Sequence, residues 1–232
     1  HIDDTTTRVN GVNQYCHIVC NPLYTAYFTT ENKDRLTVID VLRGMRTLRF
    51  RLNGEAEVFL QQFGLPAKVM QQLSALPQNQ DLNEQEFTGL LAQHLPALGP
   101  QQRKHILEAA AVAAYHAELE FPVLRLIICD DAPQFKLITE ELALCWVHDG
   151  RHYKKLQPVV AHHQKLLAHF LTSYWNFYDE LLSYKSHPRL EDAMRLEQQF
   201  SRLFSTVTGY NALDERIAKT LAKKDSLLLV SP

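Results

Sequence analysis

Apolar and polar positions alternate through the first thirty residues, and the period then changes. HIDDTTTRV is Thr-rich and β-branched, and Asn10-Gly11 directly after it is a two-residue hairpin signal. QYCHIVC and, past the Asn21-Pro22 break, YTAYFTT complete three short predicted strands. In KDRLTVIDVLR, residues 33–43, the apolar side chains Leu36, Val38, Ile39 and Leu42 recur at helical spacing, with Gly44 as the stop. MRTLRFRLN returns to alternation, Leu48, Phe50 and Leu52 against Arg49 and Arg51, which predicts an exposed edge strand.

From residue 54 the strand pattern disappears. EAEVFLQQFG, PAKVMQQL, NEQEFTGLLAQHL and PQQRKHILEAAAVAAYHAELE all read as helices, broken at Gly64, Pro77, Pro96 and Gly99-Pro100. The small residues from Ala109 to Ala114 suit close helix packing. After Phe121-Pro122 the pattern reverts: VLRLIICD is a nearly continuous apolar run of strand length, as in a strand covered on both faces. Residues 132–141 predict a short helix, LALCWVH over 142–148 a second strand, and 151–156, 159–185, 189–207 and 211–225 further helices. Within the longest of these, the aromatic run YWNFY falls on one stripe and reads as core.

Antiparallel strands, a helix, a helical run, then strand–helix–strand give an α/β fold, a mixed sheet with flanking helices and an all-α insertion. The predicted divisions are 1–53 for the first part of a core, 54–122 for the insertion, and 123–232 for the rest of the core and the C-terminal helices.

Composition is that of an ordinary folded protein, 46% hydrophobic and 22% charged. No run reaches the roughly 18 to 20 apolar residues of a membrane span, and no signal-peptide pattern is present. Cys16, Cys20, Cys129 and Cys145 form no C-x-x-C pair, so reduced thiols in a cytoplasmic protein are expected. The opening on His1, directly at a strand, predicts a fragment with structure missing upstream. The net charge of −2 is unevenly spread: residues 33–51 carry six basic and two acidic side chains, 54–122 three and eight, and 151–232 twelve and eight. Basic flanks around an acidic middle permit a polyanionic partner, although solvated helix faces produce the same counts.

Two acidic pairs stand out, Asp3-Asp4 in the first strand and Asp130-Asp131 at the end of an apolar one. Carboxylates brought together from two strands repel unless a cation neutralises them, and Mg²⁺ or Mn²⁺ is the natural occupant. The plainer alternative is that Asp130 and Asp131 cap the helix expected at 132. In CWVHDGRHYKKL, Cys145, His148 and His152 have the softness and spacing of a zinc site without an evident fourth ligand, which would suit a zinc-dependent hydrolase.

HIDDTTTRVNG, VIDVLRG, LIICDDAPQF and LCWVHDGRHYKKL, in that order, resemble the DDE transposases of the bacterial insertion-sequence sixty-six type. The likeness spans essentially the whole chain, with the last two motifs the most specific. It implies a ribonuclease-H-like core and a Mg²⁺- or Mn²⁺-dependent enzyme acting on transposon ends and target DNA. It also implies a homo-oligomeric active complex in the bacterial cytoplasm. Asp3 matches the first catalytic aspartate, within H-x-D-[ED]-T, and Asp130 the second. His148, Arg151 and His152 would lie near the active centre, with Lys154 and Lys155 facing DNA phosphates. The family's third acid is a glutamate beside paired asparagines. No Asn-Asn occurs here, and Glu180, Glu191 and Glu197 lack that context. The third ligand is therefore expected downstream of Pro232, and the helical run is an addition to the pattern of many relatives.

Overall fold

The computed structural model describes residues 1–229, which divide into two compact units. Unit 1 comprises His1–Arg125 with Ala132–Glu140, and unit 2 comprises Leu126–Asp131 with the chain from Glu141 onward.

In unit 1, β1 (Ile2–Val9), β2 (Val12–Cys20) and β3 (Thr25–Thr30) form an antiparallel sheet in that order. Asn10 and Gly11 both take positive φ, 49° and 80°, so β1 and β2 close on a two-residue turn with Val9 opposite Val12. The register puts Asp3 opposite Ile18 and Asp4 opposite His17. Consecutive strand residues point to opposite faces, so Asp3 and Asp4 part company. Ile2 and His17 lie on the Asp4 side and are fully buried. His17 Nε2 donates to Thr30 Oγ1 at 2.9 Å, and that hydroxyl donates to the Asn32 carbonyl at 2.6 Å.

Asp34 caps α1 (Arg35–Leu42) by accepting the Thr37 N–H, and Gly44 at φ 69° ends it, as the sequence predicts. The helical run is present as α2 (Gly54–Gln62), α3 (Ala67–Ser74), α4 (Glu84–His94) and α5 (Pro100–His116). Ile106 and Ala109 through Ala114 on α5 are buried, and Glu108 reaches α1, where it pairs with buried Arg35. Arg43 likewise pairs with Glu118 at 2.9 Å. The segment 54–122 is part of unit 1.

The expected edge strand over 45–53 reduces to one antiparallel bridge, Phe50 to Leu82. Its alternation is real, since Phe50 and Leu52 are buried, but it reflects one-sided packing; Phe50 stacks on Phe87 with ring centroids 5.2 Å apart. The expected helix over 132–141 is a single 3-10 turn, Pro133–Phe135, ended before Leu137 turns to φ 70°.

In unit 2, β4 (Leu126–Cys129) and β5 (Glu141–Leu144) pair in parallel. The strand predicted over 142–148 is cut short, because α6 (Trp146–Lys154) begins directly after Leu144 and Cys145. Trp146, Asp149, Gly150 and Tyr153 fall on the buried side of that helix, a helical period that a short apolar run conceals. α7 (Ala161–Ser186), α8 (Leu190–Phe204), α9 (Asn211–Leu221) and α10 (Lys224–Leu227) follow. Their core is aromatic: Trp146, Tyr153, Phe170, Tyr174, Phe177, Phe200 and Phe204 are buried together. The YWNFY stripe is core, as its spacing implies.

The chain is mixed α/β, but the single mixed sheet expected from sequence is replaced by two. Among the described residues β1 pairs with β2, β4 pairs with β5, and the strands associated with Asp3 and Asp130 belong to separate sheets. No described helix is long and apolar enough to cross a membrane.

Candidate functional site

In unit 1, Asp3 is half-buried and its Oδ1 accepts the Asp4 N–H at 2.9 Å. Asp4 has a different environment. Its side chain is only 8% exposed, and its carboxylate takes Lys33 Nζ at 3.2 Å and Gln134 Nε2 at 2.9 Å. Gln134 sits in the 3-10 turn, and Arg35 holds the same turn from α1. Its Nε donates to the Lys136 carbonyl at 2.9 Å and its second terminal nitrogen to the Pro133 carbonyl at 2.7 Å. Burial pulls the Arg35 guanidinium pKa below its ordinary value, and Glu108 opposes that shift with its charge and hydrogen bond.

In unit 2, Asp130 directly follows β4 and is half-buried. Asp131 is exposed and pairs with Lys223 at 2.6 Å. The 3-10 turn that follows has Ala132 as its N-terminal residue.

The basic motif lies on α6 and just past its end. Arg151, His152, Lys154 and Lys155 are exposed, and His148 is half-buried. Lys154 Nζ lies 5.2 Å from the Trp175 ring centroid, a cation–π contact within its own unit. The His152 pKa is lowered, first by burial and then by the charges of Arg216, Lys155 and Lys223, with Asp149 opposing. That shift favours the neutral imidazole of His152.

Beneath these residues is a polar cluster that none of the sequence motifs foretells. Buried Asp149 pairs with Arg216 and accepts the Thr220 hydroxyl at 2.9 Å, with the Tyr174 hydroxyl 3.2 Å away. Tyr153 donates to Thr220 at 2.6 Å, and Tyr174 to the Trp146 carbonyl at 2.9 Å. Burial pushes both tyrosine hydroxyls well above their usual range, so they remain protonated donors. The cluster ties α6 to α7 and α9 and so sets which face of α6 meets solvent. Its one signal in the sequence is Asp149-Gly150 inside a helical period.

Among the described residues no group of three or more His, Cys, Asp or Glu side chains is arranged to hold a metal ion. Cys145, His148 and His152 therefore do not form the zinc triad their spacing allows. The other candidate acids have separate engagements or positions. Glu180 binds Arg195 at 2.6 Å and Gln199 at 2.7 Å, and the Arg195 hydrogen bond leads in lowering its pKa. Glu197 pairs with Lys224 at 2.7 Å, and Glu191 lies in the first turn of α8.

No family model matches the chain, and no solved structure matches it. The chain is similar to a protein of Sinorhizobium fredii (strain NBRC 101917 / NGR234) described as "Uncharacterized protein y4jO". The two are 28% identical over 232 residues, which cover 99% of this chain and 70% of that protein, so the likeness runs through both units.

Proposed function

We propose that this chain is the catalytic-core portion of a DDE transposase with a ribonuclease-H-like arrangement, in which Asp3 and Asp130 hold Mg²⁺ or Mn²⁺. The observation that carries the reading is the anchoring of the turn after Asp130. Gln134 bonds to Asp4, the neighbour of Asp3 in β1, while Arg35 bonds the Pro133 and Lys136 carbonyls. The order of three antiparallel strands and a helix, followed later by β4, the turn and β5, also suits it. Carboxylate oxygens fit a hard divalent ion, and Mg²⁺ commonly takes only one or two carboxylates and completes its shell with water and substrate phosphate. The bound ion would supply charge stabilisation to phosphoryl transfer.

In that chemistry water attacks a phosphodiester at the element's end, and the bond from phosphorus to the 3′ oxygen breaks. The freed 3′-hydroxyl then attacks a phosphodiester of target DNA, losing its proton to water as the new P–O bond forms, while the bond from that phosphorus to the target's own 3′ oxygen breaks and that oxygen leaves as a protonated hydroxyl. The chain's own residues position and neutralise. Asp3 and Asp130 would hold the ion, which would supply charge stabilisation to the phosphate, and Arg151, Lys154 and Lys155 offset backbone charge, which makes binding salt-dependent. His152, whose lowered pKa favours the neutral imidazole, contributes as a hydrogen-bonding group beside them, and His148 lies on the same helix. The active complex is a homo-oligomer working on DNA in the bacterial cytoplasm.

Metal binding and cleavage test the reading together. Mn²⁺ titration followed by electron paramagnetic resonance should show weak binding that Asp3→Asn and Asp130→Asn each abolish. DNA nicking by this chain should be weak or absent, because no third acid is grouped with Asp3 and Asp130 among the described residues. Mn²⁺ binding indifferent to both substitutions would sink the assignment. Robust cleavage by the present chain would move the third acid to Glu180, Glu191 or Glu197.

A further inference from the structure

The adjacent acids of β1 face opposite ways and have unlike surroundings. Asp4 has a side chain only 8% exposed, with its carboxylate claimed by two donors, Lys33 Nζ at 3.2 Å and Gln134 Nε2 at 2.9 Å. A carboxylate this dry is held by its hydrogen bonds and adjacent charge; without them it would be expensive to keep ionised. Gln134 directs its amide at this carboxylate from the 3-10 turn, and two carbonyls of that turn are held by the single guanidinium of Arg35. The chain enters this turn from Asp130 through Asp131 and Ala132.

The geometry points to Asp4 and Gln134 as positioning residues, a side-chain pair that fixes the turn following Asp130 onto the strand that carries Asp3. This rests on the proposed metal-binding reading of Asp3 and Asp130 and divides the labour within the first acidic pair. Asp3 is the ligand, and Asp4 is the anchor that takes no part in ligation. Lys33 pairs with the anchor, and Arg35 restrains the same turn through its backbone. Gln134 thereby does for the second acid what a hydrogen-bonded neighbour does for a metal-binding histidine, which is to restrict the directions in which the ligand can point.

Three measurements on the whole chain separate the possibilities: Mn²⁺ affinity by electron paramagnetic resonance, the urea midpoint, and the rate of first tryptic cleavage after Lys136. Gln134→Leu removes the donor at nearly constant volume. It should weaken Mn²⁺ binding about tenfold, the low end of what losing a supporting partner costs a metal site. It should also speed cleavage after Lys136 selectively over other sites, with the urea midpoint little changed. Asp4→Asn is expected to do the same more mildly, since an amide can still accept from Gln134, and Asp3→Asn should abolish binding without exposing Lys136. A general loss of stability would instead accelerate cleavage throughout the chain and would overturn a positioning role. So would wild-type Mn²⁺ affinity in Gln134→Leu when Asp3→Asn and Asp130→Asn have lost theirs, which leaves the metal reading standing. Unchanged affinity in Asp3→Asn and Asp130→Asn would overturn the metal reading and this inference with it.

Discussion

His152 and Asp149, three residues apart on one helix, show how environment decides what a charge can do. His152 is crowded by Arg216, Lys155 and Lys223, and its pKa is lowered by burial and by those charges. The unfolded chain, with a histidine near 6.5, then binds the proton more tightly than the folded one does. Stability from this group is fully present above about pH 6.5 and is lost as the pH falls through that value toward the depressed folded pKa. Urea midpoints at pH 7.5 and 5 should therefore fall further apart in the wild type than in His152→Gln, and equal pH dependence would show that the cationic crowding is not felt. Asp149 is the opposite case, a buried carboxylate satisfied by Arg216 and Thr220. Asp149→Ala strands the Arg216 guanidinium and should cost about 3 kcal/mol, as removal of one partner of a buried pair does. By contrast Glu197, 60% exposed beside Lys224, should change stability by no more than about 0.5 kcal/mol when replaced by alanine. Chemical denaturation of the two variants tests the contrast.

At the scale of elements, two glycines in helices make opposite demands. A Cβ on Gly150 of α6 would lie 2.8 Å from the Trp175 ring and 3.2 Å from Tyr174, so the glycine permits the close crossing of α6 over α7. Gly89 in α4 has nothing within 4 Å of its would-be Cβ. Gly150→Ala should destabilise by about 1–3 kcal/mol through overpacking, whereas Gly89→Ala should stabilise by about 0.5–1 kcal/mol through backbone entropy. Urea denaturation of both reads the difference in sign. Neither glycine announces its role in sequence, and that marks the limit of what periodicity conveys. Long periodic elements were legible: β1 to β3, the Asn10-Gly11 turn, α1, α2 to α5 and α7 to α9 lie within a few residues of their predicted spans. Short apolar runs were not. LALCWVH divides into a strand and a helix start, because seven residues cannot distinguish period 2 from period 3.6 once most of them are apolar. Of the candidate site residues, Asp130 at the end of an apolar strand was readable. The Gln134 bond to Asp4 was not, since it joins positions 130 residues apart with no local pattern.

For the molecule as a whole, the sequence reads 54–122 as an all-α insertion, and its packing ties it closely to the rest of unit 1. Strand content, helical content and charge all change near residue 54, the usual signs of an inserted module. Yet α5 buries Ile106, Val112 and the alanines from Ala109 to Ala114 within unit 1, and its Glu108 is the charged partner of Arg35 on α1. Excision would strand that guanidinium, which is 8% exposed, and would uncover Val38, Ile39 and Val41, which are fully buried on α1. A lone buried charge and several exposed aliphatics together rival the roughly 5–15 kcal/mol by which a domain is stable. A variant with residues 54–118 replaced by a short Gly/Ser linker should therefore lose the cooperative unfolding of the β1–β3 sheet, read as collapse of amide dispersion in nuclear magnetic resonance spectra. Two milder variants locate the cause. Glu108→Gln keeps the shape and one hydrogen bond and should unfold cooperatively at lower urea, while Ala110→Leu should disrupt packing with the charge pair intact. If the excised chain instead kept a dispersed spectrum and a sharp transition, α2 to α5 would be an insertion after all, and the burial on α5 would belong to the helices alone.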